Sequence, residues 1–571
     1  MKTALRYGWI FLCLVLALTA RCWNIRDVFV QGHIYFTDGD CYSRMTRARM
    51  IAEHPGMIIR HHDFENFPQG VHSHATSPLD YLIVGLKGVF DLFFGILDPQ
   101  HVSLLHPQTL DLAGALISPL LGVAGALFLA WWVERFRVRF GSAALLFYAV
   151  CPILVHGTQL GRPDHQSLLM TLLTIAFGAE LALASAAKQP TVAAVSDRRG
   201  EESDADVSAA GDRRYSEELS PASARRWGIL SGIAWGLSLW VSLYEPLILL
   251  VVVVALWLAL DRRSFLSRAR VPGAIACGVI LLLALLLEGW PVALPDAAIR
   301  DYFSNWERSI GELSHLRPTQ LFEWIGWWSV ASVILLGLAW RSDRRALPLL
   351  VMLILTAALS LWQARWGYFL GIAFAWTLPW QMQALRRNWA AWLFFIAGWW
   401  PIMEDWDHRL FLEDEVQDQR NMKQVELVAL RDLSEKAIGA HGGAFLASWW
   451  LSPAIAYWSH QPGVAGTSHE SLSGIVDSAR FFLSNDPAAA AAILRQRQVR
   501  WVVADDDSHE IETSRTLLGV KPPEKPLASI LADHPEDAPN YLTEWEGLAI
   551  VRADGLRFYR LYEVDNAKLP P

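Results

Sequence analysis

The sequence predicts a polytopic α-helical membrane protein with a C-terminal soluble domain of α/β or α+β type. Three observations carry this. Of 571 residues, 53% are hydrophobic, and these gather in unbroken runs rather than at the period of a half-buried helix or strand. The runs are about 17–25 residues long, enough to cross a hydrocarbon core. Arg-rich stretches separate alternate runs, while the last part of the chain has no such run.

The candidate spans are 6–23, 110–133, 142–158, 167–187, 227–243, 246–260, 271–289, 321–340, 346–362, 365–381 and 388–403, about eleven, with thirteen left open. The first has basic residues before it and no small-residue cleavage pattern, so it reads as an uncleaved span. The stretch 77–97 is apolar but carries Asp80, Lys87 and Asp91, and reads as a helix lying at the membrane interface.

With the N-terminus inside, the Arg clusters at 135–139, 198–226, 262–270, 341–345 and 386–387 all fall on the cytoplasmic side. The other connections and the C-terminal domain then lie outside, in a cell inner or plasma membrane. Residues 188–226, rich in Ala, Ser, Asp and Arg, read as a disordered cytoplasmic linker. The division is a membrane domain over 1–407 and an extracytoplasmic domain over 408–571. In the latter "GAFLAS", "RWVVAD" and "LRFYRLYEV" read as strands and "PAAAAAILRQRQ" as a helix. The net charge of −8 gives no sign of a nucleic-acid partner. The five Cys show no zinc or CxxC spacing, and none follows Cys277, so the soluble domain holds no internal disulfide.

Chemistry-bearing residues gather in the outer set. Asp38 and Asp40 in "DGDCY" are paired carboxylates of the kind a hard divalent cation takes, although loop acids are mostly just solvated. Arg162, Asp164, His165 and Gln166 abut a span, where charges are costly unless paired or ligating. Either Asp164 completes a metal site with Asp40, or it pairs with Arg162 and caps the following helix. Glu312 lies in "SIGELSHLRP", with Arg317 five residues on. Arg365 interrupts an apolar region and either faces an anionic group or snorkels from a helix end. Trp449 and Trp450 close a tail strand, as a recognition surface or as core. The stretch "RHHDFENFPQGVHSH", with His61, His62, His72 and His74, fits no standard zinc spacing and reads as a first-loop segment near the donor pocket.

The order of these features resembles the catalytic subunit of oligosaccharyltransferase, single-subunit bacterial and archaeal type, in the GT-C superfamily. The matching residues are Asp40 before Tyr42, Asp164-His165-Gln166, Ser309-Ile310-Gly311-Glu312, Arg365 and Trp449-Trp450-Leu451. The resemblance implies an inverting glycosyltransferase and a polyprenyl-phosphate or pyrophosphate glycan donor. It implies Mg²⁺ or Mn²⁺ held by Asp40 and Asp164, with Gln166 or His165 as the third ligand. Asp40 and Glu312 are then catalytic and position an acceptor amide. Arg365, with Arg162 or Arg317, binds donor phosphate, and Trp449, Trp450 and Glu312 bind the acceptor.

Two positions depart from the family. Gln166 replaces a charged or imidazole ligand. Leu451 replaces the Asp of a Trp-Trp-Asp motif that helps bind the sequon hydroxyl. Ser452, His469 and Glu470 are candidate substitutes. The expected acceptor is protein. The alternatives are a lipid or polysaccharide acceptor and, in another class, a transporter or flippase without chemistry; against the last, the acids sit in external loops and no repeat is visible.

Overall fold

The structure is a computed structural model that describes residues 2–97, 102–186, 221–290, 299–505, 507–547 and 557–570. The segment expected to be a disordered linker lies outside these residues except for its end, where Pro221–Arg226 already form the first turns of a helix.

The apolar runs become helices: α1 (Lys2–Arg21), α2 (Gly39–Glu53), α3 (Pro78–Leu97), α4 (Val102–Arg135), α5 (Gly141–Val150), α6 (Pro152–His156), α7 (His165–Ala186) and α8 (Pro221–Val241). They continue as α9 (Tyr244–Leu260), α10 (Val271–Glu288), α11 (Gln320–Ile325), α12 (Trp328–Trp340), α13 (Ala346–Trp362), α14 (Gly367–Ala384), α15 (Asn388–Ala397) and α16 (Trp400–Leu410). Parts of α1, α4, α7 and α10 are long and apolar enough to cross a membrane, and five shorter apolar helices accompany them.

Burial sorts the helices into a core and a rim. Gly367–Met382 of α14 are buried on every side, whereas α10 buries only 6% of its apolar window and exposes Leu and Val almost all round. A helix that is apolar and exposed is stable only where the solvent is lipid. Helix α10 meets α8 through small residues: a Cβ at Gly228, Gly232 or Gly273 would collide with the facing backbone, the close approach that membrane helices use in place of a hydrophobic driving force.

Three runs break where backbone chemistry dictates. Pro152 separates α5 from α6, because it has no N–H to continue the ladder. Gly326, at φ +74°, separates α11 from α12. The last run divides into α15 and α16, and α16 extends to Leu410, past the expected domain boundary.

The segment between α1 and α3 carries two small hairpins, β1 (Phe29–Val30) with β2 (His33–Ile34) and β3 (His61–His62) with β4 (Val71–His72). The C-terminal domain follows α17 (Asp414–Leu433) and is a four-stranded mixed sheet of order β5-β6-β8-β7. Strand β5 (Phe445–Leu446) runs parallel to β6 (Trp501–Ala504), and β8 (Arg560–Val564) pairs antiparallel with both β6 and β7 (Leu542–Glu544). The expected helix is Pro487–Gln496, capped by the Asp486 carboxylate on the Ala488 N–H.

The segment between α1 and α3 is locked from both sides. On one, Arg44 and Arg47 of α2 close on the fully buried Asp80 of α3 at 2.8 and 3.0 Å. On the other, the Tyr42 ring stands edge-on to Trp458 of α18 (Ser452–Ser459) at 4.9 Å, and Arg49 donates to the Tyr457 carbonyl at 2.6 Å. Replacing Asp80 by Ala leaves two buried guanidiniums without a counterion, at a cost of about 3–5 kcal/mol. A clear fall in Tm of the detergent-solubilised protein is expected; an unchanged Tm would show that this triad does not hold α2 in place.

Candidate active site

Two loops are sewn together at a glycine. Gly161 lies at φ +72°, and a Cβ there would press on Val28 and the Tyr35 carbonyl. Its own carbonyl accepts the Thr37 N–H at 3.0 Å. Asp38 and Arg162, the residues that follow on each strand of this junction, therefore face one another. Asp38 caps α2 by accepting the Cys41 N–H at 3.0 Å and sets its other oxygen 3.5 Å from Arg162 Nη1. Asp40 then falls in the first turn of α2, where the helix dipole favours an anion.

Arg162 is the hub. It donates to Glu312 Oε1 at 2.6 Å and lies 3.9 Å from Asp164 Oδ2, in addition to its contact with Asp38. The Tyr368 hydroxyl, one turn after Arg365, donates to the same Glu312 oxygen at 3.2 Å. Asp164 does not cap its helix with its carboxylate; that group binds His165 Nδ1 at 2.6 Å. His165 is thus the partner of a carboxylate, the arrangement that orients metal-binding groups. Gln166 is fully buried and its Oε1 has no hydrogen-bond partner among the described residues.

The electrostatics are one-sided. Although Asp40 is exposed, desolvation by the surrounding protein, followed by the charges of Asp38, Asp164 and Glu312, pushes its carboxyl up to about 7. Burial opposes ionisation of Asp164 too, but His165 and Arg162 outweigh it and hold the carboxyl well below the usual range. An all-oxygen set of Asp40, Asp164 and Gln166 suits a hard divalent cation.

Arg365 sits in a single 3-10 turn between α13 and α14, and pairs with the buried Glu245 of α9 at 2.5 Å. Asp164, Glu312 and Tyr368 lie within its electrostatic reach. Arg317 is not brought to the site: it is exposed, its N–H donates to Gln320, and it makes no ion pair among the described residues.

The C-terminal domain closes the cleft. The Trp450 carbonyl lies against Gly39, where a Cβ would stand 3.4 Å from it and 2.8 Å from the Thr467 methyl. The Thr467 side chain thus lies beside the turn that carries Asp40. Trp449 stands edge-on to Trp450 at 5.7 Å and to Trp306 at 6.2 Å, and shares an apolar cluster with Ile310 of the Glu312 loop. The indole N–H groups of Trp449 and Trp306 have no partner among the described residues.

Leu451 opens α18 and is partly buried against the core. Of the three substitutes expected for its missing carboxylate, Ser452 is buried and donates back to the Ser448 carbonyl at 2.9 Å, while Glu470 and His469 meet His74. Acids that sequence reading missed stand nearer. Asp505 and Glu510 both accept from Ser448 Oγ, and His509 stands edge-on to Trp450 at 4.6 Å.

No family model matches the chain, and no curated protein matches it by sequence. Solved structures do. The archaeal oligosaccharyltransferase AglB from Archaeoglobus fulgidus, in complex with an inhibitory peptide and a dolichol-phosphate, aligns over 100% of this chain and 75% of its own at TM-score 0.58 and 15% identity. The Archaeoglobus fulgidus oligosaccharyltransferase tethered to an acceptor peptide containing the NVT sequon aligns over 100% and 75% at TM-score 0.59 and 13% identity. Its complex with Zn and sulfate aligns over 87% and 68% at TM-score 0.55 and 15% identity. The chain therefore shares the fold of these structures, a bundle of membrane helices followed by a C-terminal domain.

The Glu245–Arg365 pair generates a prediction. Arg365→Gln leaves Glu245 as an uncompensated buried charge and lowers Tm, by a free energy of about 3–5 kcal/mol. Adding Glu245→Gln to the same chain restores most of the loss. A double variant no more stable than Arg365→Gln would show that the two side chains are not coupled.

Proposed function

We propose that this chain is a membrane glycosyltransferase that moves a glycan from a polyprenyl phosphate or pyrophosphate to an acceptor, with protein as the leading acceptor. The observation that carries it is the convergence of Asp38, Asp164 and Glu312 on Arg162, with Asp40 beside them and the Trp449–Trp450 turn docked onto the Asp38–Asp40 turn. The fold shared with AglB, which has been solved with a dolichol-phosphate and with an acceptor peptide, supports it. Several apolar helices, one almost wholly exposed, support a reaction at a bilayer. The Arg-rich connections on the opposite side favour an inner or plasma membrane with the C-terminal domain outside.

In this reading Asp40, Asp164 and Gln166 hold Mg²⁺ or Mn²⁺, and His165 orients Asp164. When bound, the cation stabilises negative charge developing on the departing phosphate oxygen. Arg365 meets the donor phosphate by exchanging its Glu245 partner for it. Glu312, held by Arg162 and Tyr368, and Asp40 orient the acceptor nitrogen and take up its proton. The nitrogen forms a bond to the anomeric carbon as the carbon–oxygen bond to phosphate breaks, which inverts that carbon. Arg162 is assigned to carboxylate positioning, since its guanidinium is spent on acids, and Arg317 is left out.

Leu451 favours a second reading of the acceptor. It cannot bind a sequon hydroxyl, and an apolar pocket discriminates only weakly against loss of one. The Trp449 and Trp306 N–H groups remain to meet an oxygen of the acceptor, whether peptide, lipid or polysaccharide.

Transfer from a polyprenyl-linked oligosaccharide by purified protein is expected to require Mg²⁺ or Mn²⁺ and to fall by about 10²–10³-fold in Asp40→Asn and in Asp164→Asn. Full activity in either variant would end this reading. Peptides with Asn-x-Thr and Asn-x-Ala are expected to differ far less than for a site that reads the hydroxyl. A strict need for Thr would place that recognition in the Asp505–Glu510 segment.

The raised Asp40 pKa fixes a stability signature. A folded pKa near 7, against 3.8 unfolded, means that Asp40 binds its proton more tightly in the folded state. Its contribution to metal-free stability is greatest below pH 4 and declines as pH rises to 7. In chelator, Asp40→Asn should therefore gain stability over the parent as pH climbs from 4 to 8, and Mg²⁺ should narrow the gap. A gap that does not change with pH would contradict the electrostatic crowding.

A further inference from the structure

Away from the Arg162 hub, three potential ligands from distant parts of the chain meet at the seam between the α1–α3 segment and the C-terminal domain. His74 Nδ1 lies 2.8 Å from both carboxylate oxygens of Glu470, although the residues are 396 apart in sequence. His469 Nδ1 lies 3.5 Å from Glu470 Oε2, and the two imidazole rings stand 4.4 Å apart. One ligand atom from each of the three residues falls within 4.8 Å of the others.

We propose that His74, His469 and Glu470 form a zinc site that staples the α1–α3 segment to the C-terminal domain. Tetrahedral zinc with ligands at about 2.0–2.2 Å sets them about 3.3–3.5 Å apart, so side-chain rotation alone closes the site. Two imidazoles and one carboxylate are a borderline donor set that selects zinc over Mg²⁺, in contrast to the all-oxygen set around Asp40. The surroundings fit. Oε1 of Glu470 also accepts the His74 backbone N–H at 2.8 Å, a contact that fixes the carboxylate for ligation. The side chain of Glu470 is only 8% exposed, whereas those of His74 and His469 are 45% and 27% exposed, which gives the ion a path in and water a fourth position.

Local charge balance points the same way. The neighbouring Glu65 is buried and held by the hydroxyls of Ser43 and Ser468 at 2.7 and 2.8 Å. Neither Glu65 nor Glu470 pairs with a Lys or Arg among the described ion pairs. Burial pushes the Glu65 carboxyl up against those hydroxyl bonds, and the charge of Glu470 adds to the rise. A divalent cation neutralises this cluster. His469 follows Thr467, whose methyl packs beside Gly39, by two residues, so the staple holds the neighbourhood of the Asp38–Asp40 turn without touching the Arg162 cluster.

The test uses the full chain in detergent, stripped with chelator and dialysed against micromolar zinc in excess Mg²⁺, with bound metal measured by elemental mass spectrometry. One zinc per chain is expected in the parent and in Asp40→Asn/Asp164→Asn, and less than about a tenth in His74→Ala/His469→Ala. Zinc should raise the Tm of the parent and not that of the His variant. Cobalt in place of zinc should give the strong visible absorption of a four-coordinate ion, lost in the single His74→Gln, whose metal-free Tm serves as a folding control. A parent that retains no zinc would overturn the proposal. So would zinc that survives the His changes and disappears with the Asp changes, since it would then belong to the carboxylate cleft. Because the two variant pairs separate the sites, failure of the staple leaves the transferase reading standing, and the reverse.

Discussion

One guanidinium facing three carboxylates is the constraint on which this molecule depends. Arg162 meets Asp38, Asp164 and Glu312, and Asp40 adds a fourth acid within their field. Like charges 4 Å apart repel by about 4 kcal/mol at an effective dielectric of 20, so loops carrying them do not gather unaided. Much of the surrounding structure can be understood as the restraint that gathers them. The Thr37–Gly161 hydrogen bond joins the first two loops, the Arg44–Arg47–Asp80 triad pins α2, and the Tyr42–Trp458 contact presses the C-terminal domain onto the same helix. Such an arrangement stores unfavourable charge at one point of the fold.

Most of the fold was legible because the signal for a membrane helix is long and one-dimensional. All eleven runs became helices, and the four tail segments took the forms their patterns predict. What the patterns missed was local. A sliding apolar window does not register a Pro at a helix start or a Gly at positive φ, so the breaks at Cys151/Pro152 and at Gly326 were passed over although their residues were in plain view.

The site divides along the same line. Asp40, Asp164, Glu312 and Arg365 could be named from local motifs. Their partners could not, because tertiary contact selects them. Glu245 is the clearest case: it stands one residue before an expected span, and a Glu at the head of an apolar run is itself a signal that a partner must exist. Tyr368, three residues after Arg365 and so on the same side of the chain as it turns into α14, is another. The His-rich stretch shows the converse. His61 pairs with His72 across a hairpin, and His62 stacks on Phe64 at 3.8 Å, with burial as the main cause holding its pKa down to about 3. Only His74 leaves the group, and its partners lie in another domain, where no spacing rule reaches.

The Trp449–Trp450 turn follows a different logic from the Arg162 cluster. Around Arg162 the surplus is of negative charge and of oxygen atoms that accept hydrogen bonds. Around the Trp-Trp turn it is of donors, the indole N–H groups of Trp449 and Trp306, buried without partners among the described residues. A buried donor left unsatisfied costs about 1–3 kcal/mol, and two such costs side by side are recovered when an oxygen-bearing group enters. Leu451 offers those donors no oxygen, and the acids beside Ser448, Asp505 and Glu510, are engaged by its hydroxyl. The two surpluses meet where the Trp450 carbonyl and the Thr467 methyl pack on Gly39, so their spacing is set by the seam between the C-terminal domain and α2 rather than by either alone.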